Sequence, residues 1–264
     1  LGCRKVVLAY VVYVKHTVGL SEVIREEAWP KIEEQRQSLE SSGFDVAVEM
    51  PVGVPGPEIV SLAHQHSCSL IAIGSHGRSL AIDAALGGVA TDVIHRSDLP
   101  VLVVRLQLVE EAGEVYCRLP PDDILAHVLY ATDFSDNAER AFQYVEQLAR
   151  SGCKRATLVH VQDVSRISPH LETRIEEFDK IDQTRLDRLK VRLGELGLTD
   201  VNTKIPYGHP TKEILDSVRS DCPSIVVMGS HGRGFITDMF LGSVSHNVVR
   251  HSSVPVLLIP PPKP

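Results

Sequence analysis

The chain contains one pattern twice, and that repeat constrains its fold more than any other feature. "LIAIGSHGR" and "IVVMGSHGR" place Gly74 and Gly229 155 residues apart. The same separation of 155 holds for Pro51 and Pro206, for Gly87 and Gly242, and for Pro100 and Pro255. One ungapped offset over such a span marks a duplication, so the 264 residues are expected to form two copies of one unit rather than a single core. Upstream the offset falls to 150, because "CRKVVLAYVVYV" aligns with "CKRATLVHVQDV" when Cys3 stands opposite Cys153. "AHVLYATDFSDNAERAFQYVEQLARSG" (Ala126–Gly152) has no counterpart in the first copy.

Each copy alternates apolar strands with helical segments. In the second, "HVLYAT" reads as strand 1, followed by a helix capped by Asp136, and "ATLVHV" as strand 2. Ile175–Leu196 reads as a long charged helix, "VNTKIPYG" as strand 3 and "TKEILDSVRS" as a helix. "SIVVMG" gives strand 4, "SVSHNVVRHS" the last helix and "VPVLLI" strand 5. Near-continuous Val, Ile and Leu in such strands predicts burial on both faces, as a parallel sheet requires. The expected fold class is α/β: two tandem open, parallel, five-stranded-type sheets flanked by helices, the first lacking its opening strand and helix. The predicted division is a first domain over 1–108, a linker over 109–123 and a second domain over 124–264.

Net charge argues against a surface built for nucleic acid or an anionic membrane, since it is −7. The longest apolar run, "VVLAYVVYV", is too short to span a bilayer. Five cysteines without a CxxC pair suggest reduced thiols and a cytoplasmic protein. His64, His66 and Cys68 in "AHQHSCS" are the one grouping suggestive of a metal site, but no second ligand cluster matches them, so no metal is expected.

Both GSHGR loops fall at the carboxyl end of strand 4, where open parallel sheets bind ligands. Glycines there let backbone amides approach an anion. Gly242 and Ser243 then open a helix, whose first amides and dipole also favour an anion. The chain has neither a GxxxxGK[ST] loop nor a GxGxxG after a first strand. Glycines after strands are also ordinary turn residues, which is the plainer reading of each loop taken alone.

The full spacing, Gly-x2-Gly-x9-Gly-Ser in "GSHGRGFITDMFLGS", resembles the nucleotide-binding motif of the universal stress protein family. "YATDFS", "LVHV" and "RHSSVPVLLIP" are similar to the family's first, second and closing strands, so the resemblance covers nearly the whole chain. It implies a Rossmann-like fold of the adenine nucleotide alpha hydrolase type, with ATP or AMP as ligand and Mg2+ as a candidate companion. By that resemblance Ala131, Thr132 and Asp133 lie beside adenine and ribose, and Val161 meets adenine through its backbone. Gly229, Ser230, His231, Gly232 and Arg233 wrap the phosphates, with Gly242, Ser243, Val244 and Ser245. The first copy offers a weaker set: Gly74, Ser75, His76, Gly77, Arg78, Gly87, Gly88 and Val89. There Gly88 replaces Ser243, Ala90 replaces Ser245, and Asp133 has no counterpart.

The resemblance further implies that the closing strands pair two domains, making an intramolecular pseudo-dimer through Val101–Val104 and Val256–Ile259. A homodimer is a further candidate. The leading functional expectation is a nucleotide-dependent stress-response or regulatory module without catalytic residues. A slow ATPase or nucleotide-dependent transferase using His231 as general base, and a nucleotide-free scaffold, stand as alternatives. A Ser230–His231–Asp238 triad is disfavoured, because the chain has no GxSxG elbow.

Overall fold

The computed structural model describes residues 4–13, 20–75, 86–105, 107–111, 114–118, 123–167, 175–232 and 241–262. The first copy runs β1 (Lys5–Ala9), α1 (Leu20–Ser41), β2 (Asp45–Glu49), α2 (Pro55–Gln65), β3 (Ile71–Gly74), α3 (Gly88–Arg96) and β4 (Val101–Val104). A hairpin of β5 (Gln107–Glu111) and β6 (Glu114–Arg118) follows, starting two residues before the stretch expected as linker and overlapping most of it. The second copy begins with β7 (Val128–Thr132), α4 (Asp136–Arg150), β8 (Ala156–His160), β9 (Gln162–Asp163), α5 (Val164–Ile167) and α6 (Ile175–Glu195). It continues with β10 (Val201–Lys204), β11 (Tyr207–Gly208), α7 (Pro210–Asp221), β12 (Ile225–Gly229), α8 (Ser243–His251) and β13 (Val256–Ile259).

A seven-stranded sheet in the order β10-β8-β7-β12-β13-β4-β3 forms the centre. Its first five strands are the second copy, all parallel, with the chain reversing direction of travel between β7 and β12. β13 then meets β4 antiparallel, Val256 opposite Val103 and Leu258 opposite Val101, so one sheet runs through both copies. The remaining strands of the first copy, β1 and β2, form a separate parallel pair.

Alternation within these strands builds two cores. Val128, Tyr130, Leu158, Val227 and Leu257 point to one face with Ala141, Phe142, Val145 and Leu148 of α4 and Leu186 and Leu193 of α6. Leu129, Val226, Val256 and Leu258 point to the other, with Val93 of α3, Ile214 and Val218 of α7, and Val248 and Val249 of α8. The hydroxyl of buried Tyr130 donates to the Ala138 carbonyl at 2.6 Å, tying β7 to the start of α4.

Two local expectations are corrected. The cap of α4 is Ser135, not Asp136: Ser135 is extended and its Oγ accepts from the Ala138 amide at 3.2 Å, while Asp136 is the first helical residue. Strand 3 is broken, because Pro206 has no amide to give the ladder; β10 ends at Lys204 and β11 resumes at Tyr207 against β9.

At the opposite end of the sheet from the GSHGR loop, buried His127 shares a 2.9 Å hydrogen bond between its Nε2 and Thr157 Oγ1. Burial, and secondarily the Arg155 cation, depress its pKa; burial and His246 do the same to His95 of α3. Both imidazoles are thus favoured neutral in the folded state. Their contribution is fully present above the unfolded-state pKa of about 6.5 and is lost as pH falls below it. Melting temperatures measured from pH 8 to pH 5 are expected to drop on the acid side, and His127→Gln should flatten that drop. A wild-type curve no steeper than the variant's would show that His127 is not a source of the acid sensitivity.

Candidate functional site

The turn after β7 is shaped by its own side chains. Thr132 Oγ1 accepts from the Phe134 amide at 3.0 Å, and Asp133 Oδ1 accepts from the Ser135 amide at 3.1 Å. Phe134 is held at φ 57, a left-handed conformation that a bulky residue rarely adopts. Its ring stacks on His160 at 4.4 Å, and the Arg185 guanidinium covers it at 5.2 Å. His160 is itself buried, with Nδ1 2.8 Å from the Thr132 carbonyl and Nε2 3.4 Å from Asp182. These contacts fix Asp133 at the mouth of the sheet.

The loop after β12 comes to meet it. The Ser230 amide donates to the Ile259 carbonyl and the Gly242 amide to the Ser230 carbonyl, both at 2.8 Å, so loop and helix start are pinned together. Ser245 Oγ, buried one turn into α8, donates to the Gly229 carbonyl at 2.9 Å. Gly242 is the N-cap of α8, and among the described residues no side chain caps that helix. Ser230 Oγ and His231 Nδ1 lie 2.8 Å apart.

Two glycines lie in close approach to side chains at the start of the second copy. A Cβ on Gly232 would stand 2.8 Å from Asp133 Oδ2, so the loop passes directly over that carboxylate. A Cβ on Gly229 would stand 2.7 Å from Asn137 Nδ2 and 3.2 Å from the His231 carbonyl. Gly232 has no left-handed φ.

Of the sequence-predicted residues, the structure brings together Asp133, Gly229, Ser230, His231, Gly232, Gly242 and Ser245. Ala131 and Thr132 end β7 and are buried; Val161 follows β8 and packs against the α7–α8 side of the core. Ser243 and Val244 form the first helical turn of α8. Arg233, Asp238, His76, Gly77 and Arg78 lie outside the described residues.

In the first copy the backbone cradle is the same. Ser75 donates to the Val104 carbonyl and Gly87 to the Ser75 carbonyl, each at 2.8 Å, and Gly87 caps α3 with no side-chain help. Gly74 ends β3, and Gly88 and Val89 begin α3. Ala90, however, has no hydroxyl to bond Gly74 as Ser245 bonds Gly229. His64 and His66 diverge, Nε2 of the first to Asp98 Oδ1 at 2.8 Å and of the second to Glu49 Oε1 at 2.9 Å. No group of three or more metal-ligating side chains occurs among the described residues.

Sequence reasoning missed Asn137 and His160. Asn137 is buried on the first turn of α4; its Nδ2 donates to the His231 carbonyl at 3.2 Å, while its Oδ1 is buried without a partner among the described residues. Nothing local marks it, since its partner lies 94 residues away. His160 had a visible signal as a histidine inside an apolar strand.

A model of the universal stress protein family matches residues 5–105 and 125–260. A universal stress protein of Methanocaldococcus jannaschii is 30% identical over 151 residues, covering 50% of this chain and 93% of its own. One from Mycobacterium tuberculosis is 27% identical over 223 residues, covering 81% of this chain and 69% of its own. The crystal structure of a universal stress protein from Archaeoglobus fulgidus superposes with a TM-score of 0.74 at 25% identity, over 99% of this chain and 88% of that one.

Proposed function

The chain belongs to the universal stress protein family, and on that premise we propose that its second copy binds an adenine nucleotide and works as a nucleotide-dependent regulatory module. The observation that carries this reading is the convergence of Asp133 with the Gly229–Gly232 loop and the uncapped start of α8. Chemically, a carboxylate accepts from ribose hydroxyls, whereas glycine-rich backbone and helix amides suit phosphate oxygens. Ala131, Thr132 and the Val161 backbone would bound the base. Ser243 and Ser245 would complete the phosphate side, Ser245 by holding the Gly229 peptide in place.

The module reading is favoured over an ATPase because His231 Nδ1 is engaged with Ser230, its own neighbour on the loop. Mg2+ would enter with the triphosphate rather than on protein ligands. The antiparallel β13–β4 seam supports an intramolecular pseudo-dimer as the working assembly, with domains on either side of the β5–β6 hairpin. No helix among the described residues is long and apolar enough to cross a membrane, and we place the module in the cytoplasm.

Calorimetric titration of the full chain with ATP and with AMP tests the reading. One site per chain is expected, and Asp133→Asn should weaken both ligands by roughly tenfold, the worth of one charge-assisted hydrogen bond. No heat at millimolar nucleotide would refute it.

A further inference from the structure

Helix α6 is docked in two different ways along its length. Its second half is held by leucines: Leu186 and Leu193 are fully buried and Leu189 nearly so, in the core shared with α4. Its first half carries a polar chain that leads to the turn after β7. Asp179 Oδ1 accepts from buried Gln162 Nε2 at 2.9 Å, and Asp182, one turn on, is itself buried. Asp182 Oδ2 lies 3.4 Å from His160 Nε2, and its Oδ1 accepts from Arg185 Nη1 at 3.3 Å. The Arg185 guanidinium in turn covers the Phe134 ring.

His160 ties this chain to the sheet. Its Nδ1 faces the Thr132 carbonyl, which can only accept, so that nitrogen carries the proton and donates. The Phe134 ring is thus held by His160 on β8 and by Arg185 on α6. A phenylalanine at φ 57 persists only where its surroundings over-determine it, and these two contacts are what hold its ring. The same left-handed residue stands between Asp133 and Ser135, whose amide donates to Asp133 Oδ1. Release of the ring therefore frees residue 134 to leave that conformation, and the Asp133 carboxylate loses its backbone anchor.

We propose that Phe134, His160, Asp182 and Arg185 are positioning residues for Asp133, and that through them the first half of α6 sets the site's preference for ribose hydroxyls. They act on the carboxylate rather than on the ligand. A carboxylate held in one orientation accepts from a sugar hydroxyl without first being ordered, whereas a mobile one gives up part of that gain. The phosphate side is built from a different loop and helix, so it is indifferent to the clamp. Linkage makes the effect reciprocal: a bound ribonucleotide stabilises the docking of Asp182 and Arg185 as much as they stabilise it. The inference rests on the nucleotide reading for its ligand, while the clamp is a property of the free chain.

The test compares the full chain with Arg185→Ala and Phe134→Gly. Arg185 is exposed, so its loss spares the core, and glycine tolerates φ 57 while removing the ring. In the ligand-free chain, Arg185→Ala is expected to speed amide exchange at Ser135 by roughly fivefold or more and to leave Val128–Tyr130 unchanged, which a general loss of stability would not do. Calorimetry is expected to give the wild type a roughly tenfold preference for ATP over 2′,3′-dideoxy-ATP, falling to about twofold or less in both variants. Affinity for inorganic tripolyphosphate should not change. An unaltered Ser135 amide in Arg185→Ala, or variants that keep the wild-type preference, would overturn the proposal. A wild-type chain that binds no ATP refutes the nucleotide reading and the ribose preference with it, whereas the Ser135 amide decides the clamp in the ligand-free chain.

Discussion

Gly232→Val is expected to lower adenine nucleotide affinity by a hundredfold or more while leaving the melting temperature nearly unchanged. Gly232 is exposed and contributes nothing to either core, so a larger side chain there has no packing to disturb. Its Cβ, however, would lie 2.8 Å from Asp133 Oδ2, and the β-branch adds bulk on the same side. Loop and carboxylate must then move apart. In the proposed complex that separates the ribose acceptor from the phosphate donors. Losing two charge-assisted hydrogen bonds at about 1.5–3 kcal/mol each amounts to roughly 100-fold or more in affinity. The cause is the close approach, since the structure gives Gly232 no left-handed φ. Calorimetry beside circular dichroism checks both halves. A folded variant that keeps its affinity would place the phosphates elsewhere.

Leu258→Asp is expected to unfold the chain rather than part its two copies. The sequence alone suggests that charges at Val103 and Leu258 would split a seam between finished domains. In the structure both residues lie on the α3–α7–α8 side of one continuous sheet, Val103 2% and Leu258 1% exposed. An unpaired carboxylate there costs about 3–5 kcal/mol, and the lost leucine burial another 2–3, against a total stability of about 5–15 for an ordinary domain. Urea unfolding should show no cooperative native baseline for Leu258→Asp at 25 °C. Arg105→Ala is the milder probe of the same seam. Its Nη1 donates to the carbonyls of Arg250 at 2.6 Å and Ser252 at 3.3 Å, closing the end of α8 from the other copy. It should lower the urea midpoint and keep cooperativity. A cooperative, compact Leu258→Asp protein would show that the seam is a separable interface after all.

Much of this fold was legible because it is written twice. The change of offset from 150 to 155 reappears physically as Val12 opposite Val52 and Gln162 opposite Tyr207. Strand burial followed from continuous Val, Ile and Leu, since only a parallel sheet with helices on both faces hides such runs. The cap of α4 was misread by one residue because Ser135 and Asp136 are both good capping types, and the choice depends on which is extended. At the site, the glycine spacing announced the cradle, but not why its glycines are needed. Asn137 beneath Gly229 and Asp133 beneath Gly232 are contacts made across the sheet, invisible to any local pattern. The left-handed Phe134 was equally hidden, because the stacking of its ring on His160 is a tertiary contact.

The site's asymmetry gives the most direct measurement. Both copies share the backbone cradle, Ser75 with Gly87 and Ser230 with Gly242, but only the second adds Asp133, Asn137 and Ser245. Amide hydrogen exchange of the full chain, with and without saturating ATP, distinguishes the two. Slower exchange is expected at Ser230–Gly232 and Ser243–Ser245, with Ser75 and Gly88–Ala90 unchanged. Protection of the first-copy cradle alone, or of neither, would contradict it.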